Sequence, residues 1–228
     1  VKADPSLSAQ RDNAIGLLRA LWTGAQDAAG VFDLDKMGTF LALSDLWSAP
    51  HGLIWHNLRY YYNPITARLE PIAFDSDALA GELDMAGLPQ GAFYNDPALQ
   101  AAYVRALQRV SQPGYIEGLE SAFGPQFEAL RATLEPEFGA DPLASPWDVL
   151  RQRQELLREV LNPYRTVYAH TEGDTTSTGT NLYVGNLLEL PVEVTGLDVG
   201  GTPVGVRRAW VDPASAALLA PAAGASPD

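Results

Sequence analysis

The sequence predicts an α+β protein, in which a mainly helical body carrying one β-hairpin is followed by a small all-β module. Three observations lead to this fold class. Apolar residues recur at helical spacing through much of residues 8–161. Within that region, aromatic and alternating runs at 55–62 and 69–75 are typical of two short strands. From residue 164 onward, Val-, Tyr- and Thr-rich runs alternate with Gly, Asp and Thr clusters, which indicates further strands.

Polar and proline residues predict where the helices begin. Asp33 or Asp35 caps a helix that continues to about Trp47, and Asn95 or Asp96 caps a helix with Pro97 in its first position. Ser145 and Pro146 form a third start signal of the same kind. The predicted helices are 8–23, Asp33 or Asp35 to about Trp47, 97–111, 113–122, 125–136 and 146–161.

Composition excludes several classes of protein. At 46% hydrophobic residues, the 228-residue chain can bury a core, so wholesale disorder is excluded. The absence of cysteine excludes a disulfide scaffold, a thiolate metal site and a cysteine nucleophile. A net charge of −13 argues against a nucleic-acid-binding surface, and no run is long enough to predict a membrane span. The chain ends resemble those of a piece cut from a longer protein, in which an export signal would lie upstream.

The hairpin carries the polar residues with the clearest chemical meaning. We predict a register that pairs Asn57 with Asp75 at its open end, with Leu58 facing Phe74 and Tyr60 facing Ile72 on a buried face. Opposed side chains start about 4.5–5.5 Å apart, so an amide oxygen and a carboxylate would meet. Asp77 would follow on the same face if the strand continues. Such an oxygen cluster suits Mg²⁺ or Mn²⁺.

The segments 33–47 and 56–77 resemble the core of the CotH family of atypical, kinase-like proteins, which are named for a bacterial spore-coat component. The resemblance rests on the Asp33- and Asp35-led helix, His56-Asn57, the tyrosines at 60–62, and Pro71 ahead of Asp75 and Asp77. The stretch 94–110 is also similar, and the resemblance covers roughly residues 30–165.

The resemblance implies a fold and an activity. Residues 1–165 would form a kinase-like large lobe that binds ATP with Mg²⁺ or Mn²⁺ and phosphorylates a protein substrate or surface-layer partner. Asn57 and Asp75 would hold the nucleotide and the metal, with Asp77 as a further metal ligand, as one Asn and one Asp do in kinases. Residues 166–212 would form a small β module, and 213–228 a flexible tail or linker. A secreted, cell-surface or spore-coat location would follow, without nucleic acid and without membrane insertion.

Two departures from the kinase pattern shape the hypothesis. Kinases place the catalytic Asp five residues before the metal-binding Asn, and here that position is Gly52. His51, beside it, is the candidate substitute base, because the nearest upstream carboxylate, Asp45, falls inside a predicted helix. The chain has two lysines, Lys2 and Lys36, and neither is placed to grip phosphate.

Two alternatives remain open at this stage. The first is a catalytically degenerate kinase-like scaffold or interaction module, favoured by Gly52 and by the missing phosphate-binding lysine. The second is a hydrolase using paired carboxylates such as Asp75 and Asp77, although nothing in the sequence supplies an acid with a raised pKa.

Overall fold

The computed structural model describes residues 4–79, 96–140, 144–176, 179–188, 190–212 and 216–219. It confirms an α+β protein, with helices and small antiparallel sheets. The chain divides into two compact units, Val1–Leu161 (the helical unit) and Asn162–Asp228 (the β unit). The helical unit contains α1 (Pro5–Trp22), α2 (Ala28–Val31), α3 (Leu34–Leu46), a 3₁₀ helix (Pro50–Leu53), β1 (Arg59–Asn63), β2 (Arg68–Ile72), α4 (Pro97–Val110), α5 (Tyr115–Phe138) and α6 (Trp147–Leu161).

Aspartates begin the central helices, as their local sequence predicts. Asp33 caps α3 by accepting from the Lys36 amide at 3.2 Å. Asp96 caps α4 with one carboxylate oxygen, and its other oxygen accepts from the amide of Ala28 in α2 at 2.8 Å. One carboxylate therefore satisfies backbone donors of two helices that are distant in sequence.

Residues Tyr115–Phe138 form one continuous helix, α5, so the prediction of two helices, 113–122 and 125–136, is wrong. The predicted second start, Pro125, lies inside α5. A proline inside a helix forfeits one backbone hydrogen bond and bends the helix, but its φ fits helical geometry and the helix can continue through it.

Helices α3 and α4 cross so closely that a glycine is needed at the contact. A Cβ on Gly38 would lie 2.6 Å from the backbone carbon and oxygen of Ala102. Beneath this crossing α6 contributes Arg153, which is buried and donates from Nε to the carbonyls of Asp45 and Leu46 at 3.0 and 2.9 Å. The guanidinium thus adds a buried donor to carbonyls in the last turn of α3, where helical hydrogen bonding ends.

The hairpin register differs by one residue from the predicted one. The observed cross-strand pairs are Arg59–Ile72, Tyr60–Pro71, Tyr61–Glu70, Tyr62–Leu69 and Asn63–Arg68. The turn decides this register. The Asn63 side chain accepts from the Ile65 amide at 2.9 Å, and Ala67 is left-handed at φ 53°, which closes a four-residue loop at 64–67.

A one-residue shift turns the side chains of one strand to the opposite face relative to those of its partner strand. Leu69 is buried, and its carbonyl accepts from the Asp33 amide at 3.0 Å. Ile72 and Phe74, which we predicted to be buried, are about half exposed. The Arg59 guanidinium lies 4.7 Å from the centre of the Phe74 ring and covers it.

The β unit is built from two antiparallel sheets. One has the strand order β3 (Val167–Thr176), β4 (Gly179–Asn186), β7 (Ala216–Leu218), and the other pairs β5 (Val192–Val199) with β6 (Thr202–Val211). Asn186 is buried at the end of β4. It donates to the carbonyls of Leu190, Val211 and Asp212 and accepts from the Leu188 amide at 2.8 Å. This one side chain ties the end of β4 to the end of β6.

Part of the predicted tail is structured. Residues 213–228 were expected to be a flexible tail or linker, but β7 lies within them and pairs with β4. The short apolar segment Ala216–Leu218 thus forms the third strand of the sheet and covers one edge of β4. Residues 213–215 and 220–228 lie outside the described residues.

Candidate functional site

The candidate site lies where the 3₁₀ helix meets the segment that follows β2. Asn57 is 4% exposed, and its Nδ2 donates to the backbone carbonyl of His51 at 3.1 Å. Its amide N–H donates to the carbonyl of Ile54 at 2.8 Å, so both its backbone and its side chain are held to the preceding turn. Among the described residues, no donor contacts its Oδ1, which leaves a buried acceptor at the site.

His51 joins this turn to Asp75. Its Nε2 lies 3.3 Å from Asp75 Oδ2, and both side chains are about half exposed. The contact places a carboxylate oxygen beside one ring nitrogen, and Nδ1 is the ring nitrogen that does not face Asp75. The structure therefore brings His51, Asn57 and Asp75 together, through a side-chain contact and a backbone contact.

The route by which Asn57 and Asp75 come together differs from the predicted one. The strands end at Arg59 and Ile72, so Asn57 and Asp75 are outside the ladder and are not a cross-strand pair. That part of the prediction is wrong, because β2 does not continue to Asp75. The expectation for Asp77 was that it would share this face if the strand continued, and β2 ends at Ile72, so that condition is not met.

The segment after β2 has an unusual backbone. Asp75, Asp77 and Leu79 all have left-handed φ values, 50°, 47° and 64°. The amide of Leu79 donates to the carbonyl of Trp47 at 2.7 Å, which fixes the segment against the end of α3. Left-handed backbone is uncommon for residues other than glycine, and such residues cluster at functional sites.

The same segment explains the glycine at the position where kinases carry the catalytic Asp. A Cβ on Gly52 would lie 2.8 Å from Ser76 Oγ and 3.3 Å from Ser76 Cα. A side chain at position 52 would require the Ser76 hydroxyl to rotate and its backbone to shift slightly, so Gly52 favours the close approach of this loop to the 3₁₀ helix. The sequence alone did not reveal this contact, because Ser76 is distant along the chain.

Exposed aromatic rings adjoin the site, and our sequence reasoning missed one of them. Trp55 is 83% exposed, and its ring meets His56 edge-on with the ring centres 5.5 Å apart. The His56 ring lies 6.3 Å from the His51 ring, also edge-on. High exposure of a tryptophan cannot be read from the alternating pattern of 55–62.

The nearest upstream carboxylate, Asp45, is buried in α3 and accepts a hydrogen bond from the Tyr103 hydroxyl. Burial and the neighbouring carboxylate raise the pKa of Tyr103 well above its usual value. Asp45 therefore serves the packing of α3 against α4 and is withdrawn from the site.

Lys36 is committed to an ion pair on the helical unit. Its Nζ lies 2.7 Å from Glu70 Oε2 and 3.6 Å from Asp33 Oδ2. The hydrogen bond to Glu70 raises the pKa of Lys36. The hydrogen bond from Asn63 at 2.8 Å, with that from Lys36, lowers the pKa of Glu70. Lys2, the other lysine, lies outside the described residues.

The donor set can be tested against a divalent cation. The buried Asn57 Oδ1 and the half-exposed Asp75 carboxylate are oxygen donors of the kind that Mg²⁺ takes, usually one or two carboxylates together with substrate phosphates and water. Within the part of the chain that the structure describes, no group of three or more His, Cys, Asp or Glu side chains is arranged to hold a metal. Asp77 is exposed. Two protein oxygens would leave most of the six positions around Mg²⁺ to water or to another ligand.

Comparisons of the whole chain with protein-family models, curated proteins and solved structures find no match. Among the described residues, no helix is long and apolar enough to cross a membrane.

Proposed function

We propose that the helical unit is a CotH-like atypical protein kinase domain, which binds ATP with Mg²⁺ or Mn²⁺ and phosphorylates a protein hydroxyl. One observation carries the proposal: His51 ties the buried Asn57 and the exposed Asp75, the two residues that the resemblance assigns to the nucleotide, into one cluster. Asn57 and Asp75 would hold the divalent cation. When bound, that cation neutralises phosphate charge.

His51 supplies the base in this proposal. Asp75 Oδ2 lies beside its Nε2, and the other ring nitrogen, Nδ1, would accept the proton of a serine hydroxyl as that oxygen attacks the γ-phosphorus of ATP. The bond from the γ-phosphorus to the β,γ-bridging oxygen breaks, and ADP leaves. The position equivalent to the kinase Asp stays a glycine because Ser76 occupies the space next to it.

Nucleotide binding is the first test. Mg–ATP titrated into the full chain by calorimetry should give a dissociation constant that Asp75→Asn weakens at least tenfold, which is about 1.4 kcal/mol. Asp35→Asn is the matched control, since this exposed carboxylate on α3 has Arg105 as its partner, at 3.8 Å. Equal binding by wild type and Asp75→Asn, or none by wild type, would reject the proposal.

Phosphate transfer is the second test. With radiolabelled ATP and a serine peptide library, His51→Ala should lower the rate by roughly 10²-fold or more while Mg–ATP binding is retained. Loss of binding together with transfer would instead mean that His51 has only a structural role, because its side chain contacts Asp75.

A second candidate function is a kinase-like module without catalysis, which acts as a scaffold or interaction domain. It is favoured by the commitment of Lys36 to Glu70 and Asp33, because a kinase needs a lysine on the nucleotide phosphates. Nucleotide binding without any transfer to protein, in wild type and in His51→Ala alike, would select this candidate.

A further inference from the structure

His51 and Asp75 stand at the separation of two ligands on one metal ion. His51 Nε2 lies 3.3 Å from Asp75 Oδ2. A charge-assisted hydrogen bond between a nitrogen and a carboxylate is usually shorter, at about 2.7–2.9 Å. With zinc–ligand bonds of about 2.0–2.2 Å at tetrahedral angles, an imidazole nitrogen and a carboxylate oxygen on one Zn²⁺ lie about 3.3–3.5 Å apart. The observed distance therefore matches the separation of two zinc ligands.

His56 brings a third metal-binding side chain to the same place. Its side chain is exposed, and its ring centre lies 6.3 Å from that of His51. Two imidazoles on one tetrahedral zinc ion have ring centres about 5 Å apart, so His56 would move toward His51 by roughly 1 Å. Before that movement, no group of three such side chains in the described part of the chain has the geometry of a metal site. An exposed side chain changes rotamer within nanoseconds, so the ring is able to make the movement.

The backbone that carries these side chains is already held in place. Asn57 Nδ2 and the Ile54 amide both donate to the carbonyl of His51, at 3.1 and 3.3 Å. The carbonyl of Ile54 in turn accepts from the Asn57 amide at 2.8 Å, so the turn that contains His56 is closed by hydrogen bonds. The segment that carries Asp75 is anchored to the end of α3. Metal binding therefore requires side-chain rotation and no change of fold.

The types of ligand select the metal. Two imidazoles and one carboxylate, with water in the fourth position, form a ligand set that zinc proteins use, whereas Mg²⁺ takes oxygen ligands. We propose that His51, His56 and Asp75 bind a Zn²⁺ ion, and that this ion inhibits the helical unit. The inhibition rests on the proposed function, because Zn²⁺ would occupy His51, the base, and Asp75, which would hold Mg–ATP.

Calorimetric titration of ZnCl₂ into the full chain, without nucleotide, tests the site. One Zn²⁺ should bind per chain, and His51→Ala and His56→Ala should each raise its dissociation constant by about tenfold or more. His170→Ala is the matched control, because His170 is the remaining histidine and lies on β3 in the β unit. All variants should keep the wild-type circular dichroism. No zinc binding by wild type, or binding that either His51→Ala or His56→Ala leaves unchanged, as with an adventitious ion only, would overturn the proposal.

Cobalt substitution tests the geometry of the site. Zn²⁺ is spectroscopically silent in visible light, whereas Co²⁺ bound to the same ligands should give the absorption of a tetrahedral ion. Added Zn²⁺ should abolish that absorption by displacing Co²⁺, and Asp75→Asn should prevent it from forming. A spectrum like that of hydrated, octahedral Co²⁺ would mean that the three side chains do not close around one ion, and would reject the site.

The effect of zinc on nucleotide binding tests the inhibition. With free Zn²⁺ fixed by a metal buffer at a saturating level, the dissociation constant of Mg–ATP for wild type should rise by about tenfold or more. His56→Ala should bind Mg–ATP as wild type does and lose the effect of zinc, because His56 is not among the residues that would hold the nucleotide. Mg–ATP binding that bound Zn²⁺ leaves unchanged would reject the inhibition. Zinc binding by a wild type that never binds Mg–ATP would support the zinc site and reject the proposed function.

Discussion

Removal of the Tyr103 hydroxyl should destabilise the helical unit, because the buried Asp45 carboxylate loses a hydrogen bond. Tyr103 and Asp45 are both buried, and the hydroxyl donates to Asp45 Oδ2. A hydrogen bond to a charged group contributes about 1.5–3 kcal/mol, and Tyr103→Phe removes one such bond from a buried carboxylate. We expect the free energy of unfolding to fall by about 2 kcal/mol. For a unit of this size, that corresponds to a loss of about 4–8 °C in Tm.

Urea unfolding followed by helical circular dichroism measures this change, because the described helices all lie in the helical unit. Tyr61→Phe is the matched control, since Tyr61 is half exposed on β1. In Tyr103→Phe/Asp45→Asn the two effects should be less than additive, by about 1 kcal/mol. Equal stabilities of Tyr103→Phe and Tyr61→Phe would refute the reasoning.

The same pair predicts an alkaline pH dependence. The pKa of Tyr103 is raised in the folded state, first by burial and then by Asp45. Its contribution to stability is therefore complete below about pH 10, the unfolded value, and is lost as the pH rises toward the folded value. Wild type should lose stability above pH 10 more steeply than Tyr103→Phe. Parallel curves would contradict the assignment.

Four further substitutions test other parts of the fold. Gly38→Ala should cost about 1–3 kcal/mol, because its Cβ meets the α4 backbone, whereas Gly118→Ala, with open space around it, should stabilise α5 by about 0.5–1 kcal/mol. Asn186→Asp should lower the free energy of unfolding of the β unit by at least about 2 kcal/mol, since three carbonyls lose their donor. Glu70→Gln should flatten the loss of stability below about pH 4, because the lowered pKa of Glu70 gives stability that disappears as pH falls.

Each of these has a measurement that can contradict it. Chemical denaturation should rank Gly38→Ala below wild type and Gly118→Ala above it, and the reverse order would reject the close crossing of α3 and α4. Proteolysis of the β unit should accelerate in Asn186→Asp while the helical signal stays unchanged. Thermal melts from neutral to acid pH that coincide for wild type and Glu70→Gln would show that Lys36 and Asn63 do not stabilise the carboxylate.

Local signals predicted most of the helices. Asp33 and Asp96 each accept a hydrogen bond from the amide three residues later, so their capping role can be predicted from local sequence. The register of the hairpin was not predictable from alternation, since Asn63 and the left-handed Ala67 select the loop length. In α5, the sequence signal of Pro125 pointed to a break that the helix does not make.

For the candidate site, the sequence indicates which residues to consider but does not indicate the tertiary contacts that connect them. Asn57 and Asp75 stand out as oxygen donors in a short motif. Their connection depends on His51 and on a loop whose shape is set by contacts between distant segments, above all Gly52 with Ser76. Contacts of that kind depend on tertiary packing, which no local pattern encodes.

At Asp75, Asp77 and Leu79 the left-handed backbone makes the most stable residue differ from the residue that the candidate site uses. Glycine adopts such φ values without strain, so a search for stabilising substitutions would favour glycine at each of the three positions. At Asp75 that choice would remove the carboxylate that holds His51. A library selected for heat resistance alone should therefore discard Asp75, whereas one selected for ligand binding should keep it and accept a less stable fold.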